Sequence, residues 1–88
     1  MFQWDETKRR TNLAKHGVDF TLAERFGFDT AVTKIDSRFE YGEIRYVSTG
    51  FIGYRLYVLT YTKRGDAFRI ISLRKANDRE SKKYEESP

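Results

Sequence analysis

No cysteine occurs in the 88 residues, so no disulfide framework supports a domain this small, which fits a reducing compartment better than an oxidising one. The expected address is the cytoplasm. Proline occurs once and glycine six times, and no Pro/Gly/Ser-rich stretch of linker length divides the chain; residues 1–88 are expected to form a single domain. No apolar run reaches the length that spans a bilayer, and the start, Met1-Phe2-Gln3-Trp4-Asp5-Glu6, has neither the basic opening nor the apolar stretch of a signal peptide. No membrane partner is expected. With His16 the only histidine and no cysteine, a zinc site would need several carboxylates at spacings the sequence does not supply. Neither a glycine-rich phosphate loop nor a Ser/His/Asp set is visible. No metal and no cofactor are expected.

What is present is aromatic and basic. Seven Phe, six Tyr and one Trp make up 16% of the chain, and a core of this size must lean on them, since each buries a large area. The net charge of +4 suggests a polyanionic partner without distinguishing nucleic acid, membrane surface and acidic protein. Its distribution says more. Residues 63–83 hold eight basic side chains against three acidic ones, while residues 17–62 hold five against six, so the basic surface is expected in the last quarter of the chain.

The pattern predicts an α+β domain: two N-terminal helices, an antiparallel sheet of three to four strands and a C-terminal helix. The first helix spans about Asp5 to His16, with Asp5 as N-cap and Gly17 as the stop. A second starts at Thr21, whose spacing to Glu24 is that of a capping box, and ends near Gly27, turning Leu22, Ala23 and Phe26 inward. β-Branched and aromatic residues then mark strands at 31–35, 44–49, 54–62 and 67–73, joined by hairpins at 50–53 and 63–66. Asn77 and Glu80 again have capping spacing and open a last helix to about Glu86.

With two- or four-residue hairpin loops, Glu43 stands beside Thr60 and Thr60 beside Arg69, with Arg45 in the next row. One sheet face then carries Glu43, Arg45 and Arg69 over Val58 and Ile71, while Tyr46, Tyr57, Leu59, Phe68 and Ile70 form the core on the other. A carboxylate near two arginines suits phosphodiester chemistry, as proton acceptor and fixed cations; the same residues also make an ordinary solvated ion-pair ladder. Arg74, Lys75 and Arg79, where the last strand meets the last helix, can dock phosphate or merely face solvent. Tyr61 and Tyr84 can stack a base or belong to the core. His16 can transfer a proton or serve the carbonyls at its helix terminus.

The chain resembles the BrnT ribonuclease toxins of type II toxin–antitoxin systems. The resemblance runs through Trp4-Asp5-Glu6, Lys8, Asn12, Lys15-His16-Gly17, Phe20, Asp36, Arg38, Tyr41-Gly42-Glu43, Arg45, Tyr61-Thr62, Arg69-Ile70-Ile71-Ser72, Arg74-Lys75-Ala76, Glu80 and Tyr84; residues 27–30 and 50–54 depart from it. It implies a RelE-like fold and metal-independent RNA cleavage by 2′-hydroxyl attack, which inhibits translation and growth. It further implies mRNA as substrate, free or on the ribosome, and neutralisation by a cognate BrnA-type antitoxin. Operator DNA would be reached only through that antitoxin, and a homodimer within the complex is compatible. Carried onto this sequence, Glu43 or His16 is the base, Arg45, Arg69 and Arg74 stabilise phosphate, and Lys75, Arg79, Lys8, Tyr61 and Tyr84 contact substrate. Two other classes fit the same residues: a nucleic-acid-binding module without catalysis, and an interaction subunit whose basic face docks an acidic, antitoxin-like partner.

Overall fold

The computed structural model describes residues 1–36 and 42–87; Arg38 and Tyr41 of the resemblance lie outside them. Strand β1 (Phe2–Trp4) precedes helix α1 (Glu6–His16), followed by two 3₁₀ turns (Phe20–Arg25 and Phe28–Thr30), strands β2 (Val32–Asp36), β3 (Arg45–Ile52), β4 (Arg55–Arg64) and β5 (Ala67–Lys75), and helix α2 (Asp78–Glu85). One five-stranded sheet has the order β1-β5-β4-β3-β2. The α+β class is as expected, but the helix-first layout is not. β1 pairs with β5 in parallel, making the sheet mixed. Three residues are too few to show an alternation, and what holds them is tertiary: Phe2 packs on Phe28 and Phe68, and Trp4 meets Phe20 edge-on.

Helix α1 is bounded as expected, with the Asp5 carboxylate accepting from the Lys8 amide at 3.0 Å and Gly17 closing the last turn. Asn12 is its one buried residue, so packing of an apolar face does not hold this helix. Instead Arg9 bridges Glu6 and Asp19, and the Asn12 amide donates to the carbonyls of Val18 at 3.0 Å and Leu73 at 2.7 Å.

The second expected helix is a 3₁₀ turn, and its cap is Asp19 rather than Thr21. The Asp19 carboxylate accepts from the Thr21 amide at 3.0 Å, a local Asx-type bond that starts the turn two residues earlier. Ala23 and Phe26 are buried and Leu22 is packed against the core, the inward set expected.

Strand β3 continues through Gly50 to Ile52, so the first hairpin loop is Gly53-Tyr54, not 50–53. Gly50 reads as a turn residue in sequence but is a packing residue: a Cβ there would lie 2.8 Å from the Phe26 ring. Both hairpins, Gly53-Tyr54 and Gly65-Asp66, place glycine at positive φ in the first loop position and no positive φ in the second, the signature of a type II′ turn.

The registers therefore differ from those expected. Thr60 faces Val47 and Ser72, and Arg69 faces Thr62; the row Glu43–Thr60–Arg69 does not form. Both hairpin errors are an even number of residues up to a bulge in β5, so the faces survive. Tyr46, Tyr57, Leu59, Phe68 and Ile70 all lie on the core side, where Phe20, Leu59, Ile70 and Leu73 are fully shielded; each such side chain contributes roughly 1.5–3 kcal/mol on burial.

Helix α2 covers part of the opposite face, where Leu56, Val58 and Ala76 pack with Val47 and Tyr84. Its capping box is as expected: the Glu80 amide donates to Asn77 Oδ1 at 2.8 Å and the Asn77 amide to Glu80 Oε1 at 2.9 Å.

Candidate functional site

Among the described residues, no helix covers the sheet face that carries α2 toward the β4–β5 hairpin. Directly paired residues share a face, and the open rows follow from the registers. Gln3, Arg69, Thr62, Arg45 and Asp36 form one row across all five strands. Arg69 Nη1 donates to Gln3 Oε1 at 3.2 Å, and the buried Thr62 hydroxyl donates to the Ile44 carbonyl at 2.8 Å, fixing the start of β3. Arg45 and Arg69 thus flank Thr62, two strand spacings or about 10 Å apart at Cα. Toward the hairpin, Arg64 meets Glu43 at 3.4 Å; toward α2, the next row is Ser72, Thr60, Val47 and Lys34. The carboxylate and two arginines foreseen on one face are there, but the partner of Glu43 is a third arginine.

A groove of about 330 Å³ opens where α1 meets the edge of β5. Thr7, Lys8, Thr11, Lys15 and His16 line it from the helix, and Ile71 and Ser72 from the strand. The bulge makes this wall. Tyr61 pairs with Ile70 but Thr60 with Ser72, so Ile71 is the extra residue, and both Ile71 and Ser72 face the groove between the buried Ile70 and Leu73. Asn12 holds the other wall in place. His16 is half-buried at the end of α1, and among the described residues its ring makes no hydrogen bond.

Several expected site residues are engaged elsewhere. Arg74 is clamped by Glu80 through two bonds, Nη1 to Oε1 at 2.8 Å and Nη2 to Oε2 at 2.7 Å. Glu80 holds the guanidinium in its charged form, and in return Arg74 holds the Glu80 carboxyl below the ordinary carboxylate range, against a smaller opposing effect of burial. Tyr61 is 4% exposed, stacked on Tyr46 and hydrogen-bonded to Ser48 Oγ at 3.0 Å; it is a core residue and out of reach of a nucleobase. Tyr84 donates to the Thr30 carbonyl at 2.7 Å and packs edge-on against Phe51, docking α2. Lys75 and Arg79 are exposed, but Lys75 pairs with Tyr57 on the core side of the sheet.

Gln3, Thr62, Arg64, Ser72 and Lys15 belong to this surface and were given no site role by sequence, although Lys15, Thr62 and Ser72 lie within the resemblance. Lys15 had a visible signal: Lys8, Thr11 and Lys15 recur at helical spacing and share one face of α1. Gln3 and Ser72 had none, because they depend on β1 and on the bulge. The basic surface is accordingly broader than the last quarter of the chain, drawing on Lys8, Lys15 and Arg45 as well as Arg64 and Arg69.

Residues 4–80 match the family described as the ribonuclease toxin BrnT of type II toxin–antitoxin systems. The chain belongs to the BrnT family. No curated protein matches it. As a BrnT-family chain it is a ribonuclease toxin, with RNA as its substrate and a cognate antitoxin as its partner. Among the described residues no helix is long and apolar enough to cross a membrane, and no three His, Asp or Glu side chains converge as metal ligands would.

Proposed function

We propose that this BrnT-family chain cleaves RNA without a metal ion, by attack of a ribose 2′-hydroxyl on the adjacent phosphate, and thereby inhibits translation and growth until a BrnA-type antitoxin covers it. The observation that carries this reading is the pair Arg45 and Arg69 on one open sheet face, beside a groove lined by His16, Lys8 and Lys15. The two guanidiniums offer planar donors where charge builds on the phosphate. Lys8 and Lys15 hold flanking phosphates; Lys75, at the end of β5 on the other face, and Arg79, in the first turn of α2, lie outside this surface.

His16 is the base in this reading. A neutral imidazole takes the 2′-hydroxyl proton, the O2′–P bond forms as the P–O5′ bond breaks, and O5′ leaves with a proton from solvent, giving a 2′,3′-cyclic phosphate. Glu43 is the poorer candidate because its carboxylate is engaged with Arg64 at 3.4 Å; it orients that arginine. Base catalysis of this kind contributes on the order of 10²- to 10⁴-fold in rate.

The purified chain, incubated with RNA oligonucleotides in excess EDTA, decides the matter. The expected result is cleavage that leaves a cyclic phosphate end, is blocked by a single 2′-deoxy substitution at the cut position, and falls at least a hundredfold in His16→Ala. Cleavage abolished by EDTA and restored by Mg²⁺ would overturn metal independence. Tight RNA binding with no cut product would favour a binding module.

A further inference from the structure

A second groove, of about 220 Å³, lies on the same sheet face as the Arg45–Arg69 row but at the opposite side, between α2 and the outer strand β2. Its floor is apolar, formed by Val32, Val47 and Val58, with Tyr84 as one wall. Its rim carries two exposed lysines, Lys34 from β2 and Lys83 from α2. These ammonium groups stand close enough that Lys83 pushes Lys34 below the ordinary lysine range. Two like charges on one rim repel each other, and an anion placed between them relieves that repulsion.

Nothing among the described residues supplies that anion. Glu80 is the one acidic residue lining the groove, and both its oxygens are taken, by Arg74 at 2.8 and 2.7 Å and by the Asn77 amide at 2.9 Å. An RNA phosphate would answer the lysines but leave the valines bare. A peptide segment with an acidic residue next to an aliphatic or aromatic one answers both, the carboxylate between the ammoniums and the apolar side chain on the valine floor.

We infer that the groove between β2 and α2 seats an acidic, apolar-bearing segment of the antitoxin. Lys34 shares a row with Val47, Thr60 and Ser72, next to the row of Arg45, Thr62 and Arg69. A segment seated there extends over the arginine row within about 10 Å, so that docking and exclusion of RNA are one event. The inference rests on the reading of the chain as a toxin held by an antitoxin.

The test is calorimetric titration of the cognate full-length antitoxin into the parent chain, Lys34→Glu/Lys83→Glu and Lys34→Arg/Lys83→Arg, with RNA cleavage by each free chain measured in parallel. Charge reversal is expected to raise Kd by ten- to a hundredfold, and the arginine variant to stay within about threefold of the parent, while cleavage stays within about twofold in all three. Unchanged affinity on charge reversal would overturn the docking site, as would a parallel loss of cleavage, which would assign the lysines to RNA. If the parent binds no antitoxin at all, the partner is removed and the proposal with it. If the parent binds antitoxin but cuts no RNA, the catalytic reading fails while the affinity series still decides the groove.

Discussion

The side chain of Asn12 takes the place of a strand backbone against Leu73. Its Nδ2 donates to the Leu73 carbonyl at 2.7 Å and its Oδ1 accepts from the Leu73 amide at 3.2 Å, beyond the point where β1 stops pairing with β5 at Ile70. The same Nδ2 donates to the Val18 carbonyl at 3.0 Å. One buried amide thus satisfies an otherwise open stretch of sheet edge and fixes the wall of the groove that carries His16.

Replacing Asn12 with Ala leaves buried backbone groups at Leu73 and Val18 without partners. Each costs about 1–3 kcal/mol when unsatisfied, with water taking up part of the loss. The expected destabilisation is about 2–4 kcal/mol, read as a lower urea midpoint at unchanged m-value. A change below about 0.5 kcal/mol would show that α1 is held by the Arg9 bridges instead.

The Arg74–Glu80 pair predicts how stability varies with acidity. The folded Glu80 carboxyl lies below its ordinary value of 4.5, chiefly through the bonds from Arg74, so the unfolded chain takes up the proton first as pH falls. The contribution is therefore complete above about 4.5 and is lost as pH drops through the folded value. Glu80→Gln keeps the capping geometry and removes the charge; both partners are about a third exposed, so the expected loss at pH 7 is only about 1 kcal/mol. Chemical denaturation at pH 7 and pH 3 is expected to show the difference between parent and variant shrinking at the lower pH.

Tyr61 separates a core role from an RNA-binding one. Tyr61→Phe removes the bond to Ser48, whose hydroxyl keeps its other partner, Thr33, at 2.7 Å. The expected cost is about 1 kcal/mol of stability with RNA affinity unchanged. Weaker RNA binding at equal fold content would place Tyr61 back among the substrate contacts.

Where sequence signals were local, they were legible. The caps at Asp5 and Asn77 and the stop at Gly17 report bonds within a few residues, and the two helices they bound stand where they were expected. β1 was not legible because three residues carry no period, and the Phe20–Arg25 turn was misread because Asp19 caps it, accepting from the Thr21 amide, so that Thr21 lies inside the turn and not at its start. The site came through in part. Alternation placed Glu43, Arg45 and Arg69 on one face, since an even register error leaves faces intact. Their neighbours were missed, because the true hairpin loops and the bulge at Ile71 set them, and Gly50 looked like a turn while serving the Phe26 ring.

Arg69 and Arg74 lie five residues apart on β5, and the structure gives them different partners. Arg74 is spent on Glu80, so Arg74→Ala is expected to destabilise the chain by about 1–2 kcal/mol, leaving Glu80 without its cation, while cleavage per folded molecule stays within about threefold of the parent. Arg69 meets the neutral Gln3 and faces Thr62 on the open face. Its guanidinium remains available to a phosphate, so Arg69→Ala is expected to keep stability within about 0.5 kcal/mol and to lose about 10²- to 10³-fold in cleavage rate. Melting curves and single-turnover cleavage on both variants check this. A reversal, with Arg74 controlling rate and Arg69 controlling stability, would move the phosphate site from the open row to the start of α2.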